Sequence, residues 1–162
     1  MSKTLVAYFS ASGVTAEVSK RLADAIGADL HEIQPSQSYT NEDLNWRDKN
    51  SRSSVEMNDR SCRPAIENNV ADMEQYNTVF VGFPIWWYRE PSIIDTFMEA
   101  YNFDGKTVIP FATSGGSGMG DSAKYIQELA KGAHVVPGKR FAAGASSDEL
   151  VSWAKEVMGN DR

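Results

Sequence analysis

The chain has little that could cross-link it or bind metal through sulfur. It holds a single cysteine, Cys62, in 162 residues, which excludes an intrachain disulfide, a Cys-x-x-Cys redox pair and a cysteine-based zinc site. Positive charge is also scarce. Sixteen Lys and Arg against 22 Asp and Glu leave a formal charge of −6. Binding to nucleic acid or to anionic lipid needs concentrated positive charge, so neither is expected. No run approaches the ~20 apolar residues of a membrane-spanning helix. The apolar run after Lys3 ends at Ser10, so no secretory leader is expected. No internal repeat or low-complexity tract is visible. These absences predict a reduced, cytoplasmic protein whose redox chemistry, if any, comes from a cofactor.

What is present is enough for one core. Apolar and aromatic residues make up 41% of the chain and charged residues 23%, and the length fits a single domain over residues 1–162. Strands alternate with helices. Residues 3–9 form a short apolar strand. From Gly13 the period changes: Val14, Val18, Leu22 and Ile26 mark one helix face, stopped by Gly27. A weak strand follows at 29–33 and a continuous apolar one at 78–83. Ile93, Ile94, Phe97, Met98 and Tyr101 mark a helix starting near Pro91. Residues 107–112 form a strand with an unusual internal Pro110, which lacks a ladder donor. A helix through Ile126 and Leu129, a fifth strand at 134–141 and a helix through Leu150, Ala154 and Met158 complete the order. This alternation predicts a parallel five-stranded sheet with helices on both faces, an α/β fold in three layers. Residues 35–68 are rich in Ser, Asn, Asp and Arg and read as a long irregular insert. A short helix is expected after it, near residues 69–76.

In such a sheet ligands sit outside the carboxyl ends of the strands. After the first strand comes Ser10-Ala11-Ser12-Gly13-Val14-Thr15. Hydroxyls, a glycine and a helix start together make an anion nest of neutral donors, more than a Ser cap alone requires. After the third strand comes Phe83-Pro84-Ile85-Trp86-Trp87-Tyr88. Consecutive aromatic residues cannot all enter one core; they suit a stacked ring, a partner surface or ordinary packing. After the fourth comes Thr113-Ser114-Gly115-Gly116-Ser117-Gly118, whose backbone N–H groups are free to meet a planar ligand, or to form a flexible lid. Other signals fail. Gly105-Lys106-Thr107 ends like a P-loop, but Ala100 stands where glycine is required. No Gly-x-Ser-x-Gly elbow exists, and Ser114 has no placed base. A phosphoacceptor receiver would need carboxylates where Ser10, Ser12 and Pro84 stand. His31, His134 and Cys62 read as structural.

Taken together, the three loops give the sequence a resemblance to the flavodoxins, and within them to flavodoxin-like proteins with a Pro-Ile-Trp-Trp loop. Ser10 to Thr15 is similar to the phosphate loop, Phe83 to Trp87 to the first ring loop, and Thr113 to Ser117 to the second. The insert, with Trp46 and Arg63-Pro64, is similar too. The resemblance implies the flavodoxin-like strand order 2-1-3-4-5 of the short-chain type, and non-covalent FMN at the switch between strands one and three. It implies that Ser10, Ser12, Gly13, Val14 and Thr15 hold the phosphate. Pro84, Ile85, Trp86 and Trp87 would line one side of the ring, and Thr113, Ser114, Gly115 and Gly116 would approach its other edge. Related proteins often have Gly where Tyr88 stands; a residue with a Cβ resists positive φ, which weakens the expected support for the one-electron-reduced form.

Two functions follow from the resemblance. One is an electron carrier between partner proteins. Glu90, Asp95, Glu99 and Asp104 would form an acidic surface near the ring that steers basic partners. The other is an FMN-dependent NAD(P)H oxidoreductase passing hydride to a quinone or similar acceptor. Its second substrate would need a site such as Arg47, Arg52, Arg60 and Arg63 of the insert.

Overall fold

The computed structural model describes residues 3–11, 13–45, 47–59, 61–86, 89–113, 119–142 and 144–159. The elements in order are β1 (Lys3–Tyr8), α1 (Val14–Ile26), β2 (Asp29–Glu32), α2 (Arg52–Met57), β3 (Tyr76–Pro84), α3 (Ser92–Ala100), β4 (Thr107–Thr113), α4 (Ser122–Leu129), β5 (His134–Val135), β6 (Lys139–Phe141) and α5 (Ser147–Gly159). A turn of 3₁₀ helix at Met73–Gln75 leads into β3. The sheet is parallel with order β2-β1-β3-β4-β5, and β6 continues the outer position beside β4. This is the expected flavodoxin-like topology.

The alternation of side chains across the sheet builds two cores. Leu5, Ala7, Val79, Val81, Phe83 and Val108 face α3, whose Ile93, Ile94 and Phe97 cover them. Val6, Phe80, Ile109 and Phe111 face α1 and α5, which contribute Val18, Leu22, Leu150, Trp153 and Ala154. Each of the Val, Leu, Ile and Phe side chains among them contributes about 1.5–3 kcal/mol on burial. The central strands are covered on both faces, which is why they read as continuous apolar runs. Among the described residues no helix is long and apolar enough to cross a membrane.

The fifth strand departs from the expected continuous run over 134–141. Residues 136–138 interrupt it, leaving β5 and β6. Val136 N–H still donates to Val108 O, so residues 108 and 110 of β4 present their backbone groups to this edge. Pro110 has no N–H to offer there, and Gly138 crowds in instead, with φ of 83° and a Cβ position only 2.4 Å from Pro110 O.

The insert is more ordered than its composition predicts. Its ends pair: Ser36 N–H donates to Ala65 O, Glu67 N–H donates to Gln34 O, and Pro35 bridges Ile66 in antiparallel fashion. Helix α2 lies within it, capped by Ser51 Oγ, which accepts from Ser54 N–H. The helix expected near 69–76 is only the short 3₁₀ turn.

Candidate functional site

The carboxyl ends of β1, β3 and β4 converge. Ser10 follows β1, and its Oγ accepts from Gly13 N–H at 3.0 Å, closing the turn into α1. Gly13 itself sits at the helix N-cap with φ of 95°, a left-handed conformation that a side chain would strain. No side chain caps α1, so its first-turn N–H groups beyond the turn stay available to an incoming group. Val14 and Thr15 form the first turn. Thr15 is 2% exposed and its hydroxyl meets that of Thr113, 4% exposed, at 2.7 Å. The start of α1 and the end of β4, 98 residues apart in the sequence, are thereby joined by a buried pair of hydroxyls.

Thr113 also holds the third loop. Pro84, the last residue of β3, is its cross-strand neighbour, and Ile85 N–H donates to Thr113 O at 3.4 Å. Trp86 and Arg89 exchange backbone hydrogen bonds at 3.1 and 3.2 Å and close a tight turn. The Trp86 ring packs edge-on against Phe9 at 5.7 Å and Tyr39 at 5.5 Å, and those two meet at 5.5 Å. Phe9, Tyr39 and Trp86 thus form an aromatic wall at the strand ends, while the other two aromatics of the expected one, Trp87 and Tyr88, lie outside the described residues. Ser12, Trp87, Ser114, Gly115 and Gly116, with Trp46, Tyr88, Ser117, Gly118 and Arg60, lie outside the described residues.

Phe9 and Tyr39 were not expected in that wall. Phe9 closes the first strand and reads simply as core. Tyr39 is a lone aromatic in a polar insert, and that isolation was the available signal. Its hydroxyl donates to Glu56 Oε1 at 2.5 Å, and the Arg52 guanidinium lies 3.8 Å from its ring centroid. Burial, and then the bond to Glu56, push the Tyr39 phenol far above its ordinary range, so it stays protonated. Beside the wall is a cleft of about 390 Å³. Ser10, Ala11, Glu32, Gln34, Tyr39 and Glu67 are among the residues that line it.

Two charge expectations change. Glu90 and Asp95 are 0% exposed, so they are not part of an acidic surface; of that group only Glu99 and Asp104 reach solvent. The reason is Arg89, which draws the segment after the turn inward. Two arginines of the insert are committed to ion pairs, Arg52 within the insert and Arg63 with α3. Arg52 bonds Glu56 Oε2 at 3.0 Å and Gln37 O at 2.7 Å, while Arg63 forks onto Glu99 at 2.8 and 3.0 Å. Burial raises the Cys62 thiol, which keeps it protonated and unreactive at neutral pH.

Solved structures share this fold. A candidate flavoprotein from Bacteroides eggerthii is 45% identical, aligns over 98% of this chain and 99% of its own, and gives a TM-score of 0.91. One from Bacteroides uniformis is 47% identical over 95% and 98%, with a TM-score of 0.90. A flavoprotein from Lactobacillus acidophilus, solved in complex with FMN, shares the fold at 23% identity over 96% and 100%, with a TM-score of 0.70. No curated protein matches the chain. The family model described as flavodoxin matches residues 3–157, and with nearly the whole length accounted for the chain belongs to the flavodoxin family.

Proposed function

We propose that the chain binds FMN and carries electrons between partner proteins in the cytoplasm. The observation that carries this reading is the buried Thr15–Thr113 hydroxyl pair at an uncapped helix N-terminus. The hydrogen-bonded pair fixes the start of α1 against the end of β4, the kind of support that a preorganised anion site at that helix N-terminus needs. The residues fit the cofactor. Ser10, Ser12, Gly13, Val14 and Thr15 would hold its phosphate with neutral donors and the helix dipole. Pro84, Ile85, Trp86 and Trp87 would line one side of the ring, and Thr113, Ser114, Gly115 and Gly116 its other edge. The FMN held by the Lactobacillus acidophilus relative supports the choice of flavin. We also assign the chain to the short-chain members with a Pro-Ile-Trp-Trp loop.

Bound FMN would supply one- and two-electron chemistry. The chain's own residues bind and orient it. The wall of Phe9, Tyr39 and Trp86 excludes water from one flank, and the protein's negative charge disfavours added negative charge on the ring, which lowers its potential. Partners with basic surfaces match that charge.

An absorption spectrum after incubation with FMN tests the reading; no flavin bound defeats it. Thr15→Val separates the phosphate role from general damage. Losing a hydroxyl donor to a charged group costs about 1.5–3 kcal/mol, or roughly 10–100-fold in FMN affinity, while riboflavin binding stays nearly constant. Equal losses for both ligands refute the phosphate role.

A second reading, an FMN-dependent NAD(P)H oxidoreductase with a quinone or similar acceptor, is favoured by one observation: the cleft beside Ser10 offers room for a second substrate. Steady-state oxidation of NADH or NADPH tests it, and no turnover with any acceptor sinks it.

A further inference from the structure

Directly behind the turn closed by Trp86 and Arg89 lies a charged group sealed from solvent. Arg89 is 5% exposed, and Glu90 and Asp95 are 0% exposed. Arg89 Nη1 stands 3.4 Å from Asp95 Oδ2 and 3.9 Å from Glu90 Oε2. Its other donors go to Glu90 O, Met57 O and Ser92 Oγ. Arg63 Nη1 also approaches Asp95 Oδ2, at 3.9 Å, but its fork is committed to Glu99. From α2, Glu56 turns its carbonyl to Ser92, and its carboxylate is taken by Arg52 and Tyr39.

The charges pair off: Arg89 with Asp95, Arg63 with Glu99, Arg52 with Glu56. Among the described residues no second cation lies within ion-pair distance of Glu90. Both of its carboxyl oxygens, and Asp95 Oδ1, lack a hydrogen-bond partner. An ionised Glu90 would be a buried charge in excess, whereas a protonated one leaves the group neutral and can donate toward Asp95.

We propose that Glu90 keeps its proton through the neutral range, sharing it by a hydrogen bond toward Asp95, and that this proton links the potential of the flavin at the adjacent ring loop to pH. Only the second half rests on the flavin reading. Burial, then the neighbouring Asp95, raise the Glu90 carboxyl to about 10. The folded protein therefore holds a proton that the unfolded chain gives up between the ordinary carboxylate range and about 10. Its contribution to stability is complete below that window and is lost as pH rises through it. The Arg89 backbone forms the base of the ring-loop turn while its guanidinium grips the pair. Ionising Glu90 places net negative charge behind that loop and opposes reduction of a bound ring.

The test compares the wild type with Glu90→Gln, which keeps the shape but cannot ionise. In the flavin-free protein, the infrared carboxylic-acid C=O band present at pH 7 should vanish in the variant. Unfolding free energy measured from about pH 6 to 9 should fall in the wild type with the slope of about one proton, and that slope should be lost in the variant. In the FMN-loaded protein, the midpoint potentials should coincide at neutral pH and separate as the wild type falls in alkali. An identical band and parallel stability slopes would overturn proton sharing. A lost band with parallel potentials would overturn the redox link. A protein that takes up no flavin would overturn the proposed function and the redox link, leaving the first two measurements to decide the proton. Should Glu90→Gln not fold, Asp95→Asn releases Arg89 to pair with an ionised Glu90, so the band should disappear there too; a band that persists overturns the pair.

Discussion

Gly82 is a residue whose missing side chain leaves room for a neighbouring ring. It lies in β3 opposite Phe111 of β4, and a Cβ there would stand 2.3 Å from Phe111 Cζ. The Phe111 ring fills that space on its way to Trp153, 6.1 Å distant. Gly82→Ala forces the ring into a packed core, at a cost of about 1–3 kcal/mol. The urea midpoint should drop with an unchanged slope, and Phe111→Leu should recover part of the loss in the double variant, because the two sites share one space. An additive double variant would refute the steric account. At this scale the sequence exposes what residue type and place reveal. Thr15 and Trp86 stand out as hydroxyl and ring at strand ends. Glu90 and Asp95 do not, because their burial depends on where Arg89 points, and a string of residues carries no such direction.

Among the elements, the insert is where composition misleads most. Its polar residues have no apolar period, and a helix of six residues leaves too few turns to create one. Two local signs of α2 are nonetheless present, a Ser51 cap and an Arg52–Glu56 pair at i,i+4 spacing. Arg52 does most of the fastening. It reaches Glu56, Gln37 O and the face of Tyr39, and so ties the helix to the loop that flanks the aromatic wall. Arg52→Ala should loosen this unit without unfolding the domain. Amide exchange across residues 37–57 should accelerate, and global stability should fall by about 1.5–3 kcal/mol, since the buried Glu56 carboxylate loses its charged hydrogen-bond partner. Unchanged exchange there would show that the stem pairing of Pro35 with Ile66 suffices alone. The break in the outer strand has a similar cause: Pro110 was visible as a missing donor, but which edge lacked it depended on the register of β4.

For the molecule as a whole, strand and helix alternation forces a parallel layered sheet, and that much is legible from periodicity; the order of the strands follows only from the family resemblance that the loops carry, since alternation is compatible with several orders. The charge of −6 is likewise visible as a total but not as a field. With Glu90 and Asp95 inside and Glu99 paired to Arg63, the acidic rim expected on α3 loses most of its strength. Exposed carboxylates also line the cleft that Ser10 borders, at Glu32 and Glu67. A long-range field depends on exposed, uncompensated charges, and salt screens it over about 10 Å at 0.1 M. Electron exchange with a small basic haem protein should therefore slow as salt is raised. Glu32→Lys with Glu67→Lys should lower the rate at low salt and flatten its salt dependence, whereas Glu90→Gln should leave that dependence as it is. A salt dependence untouched by the double charge reversal would remove this face as the docking side and return the acidic end of α3, with Glu99 and Asp104, to consideration.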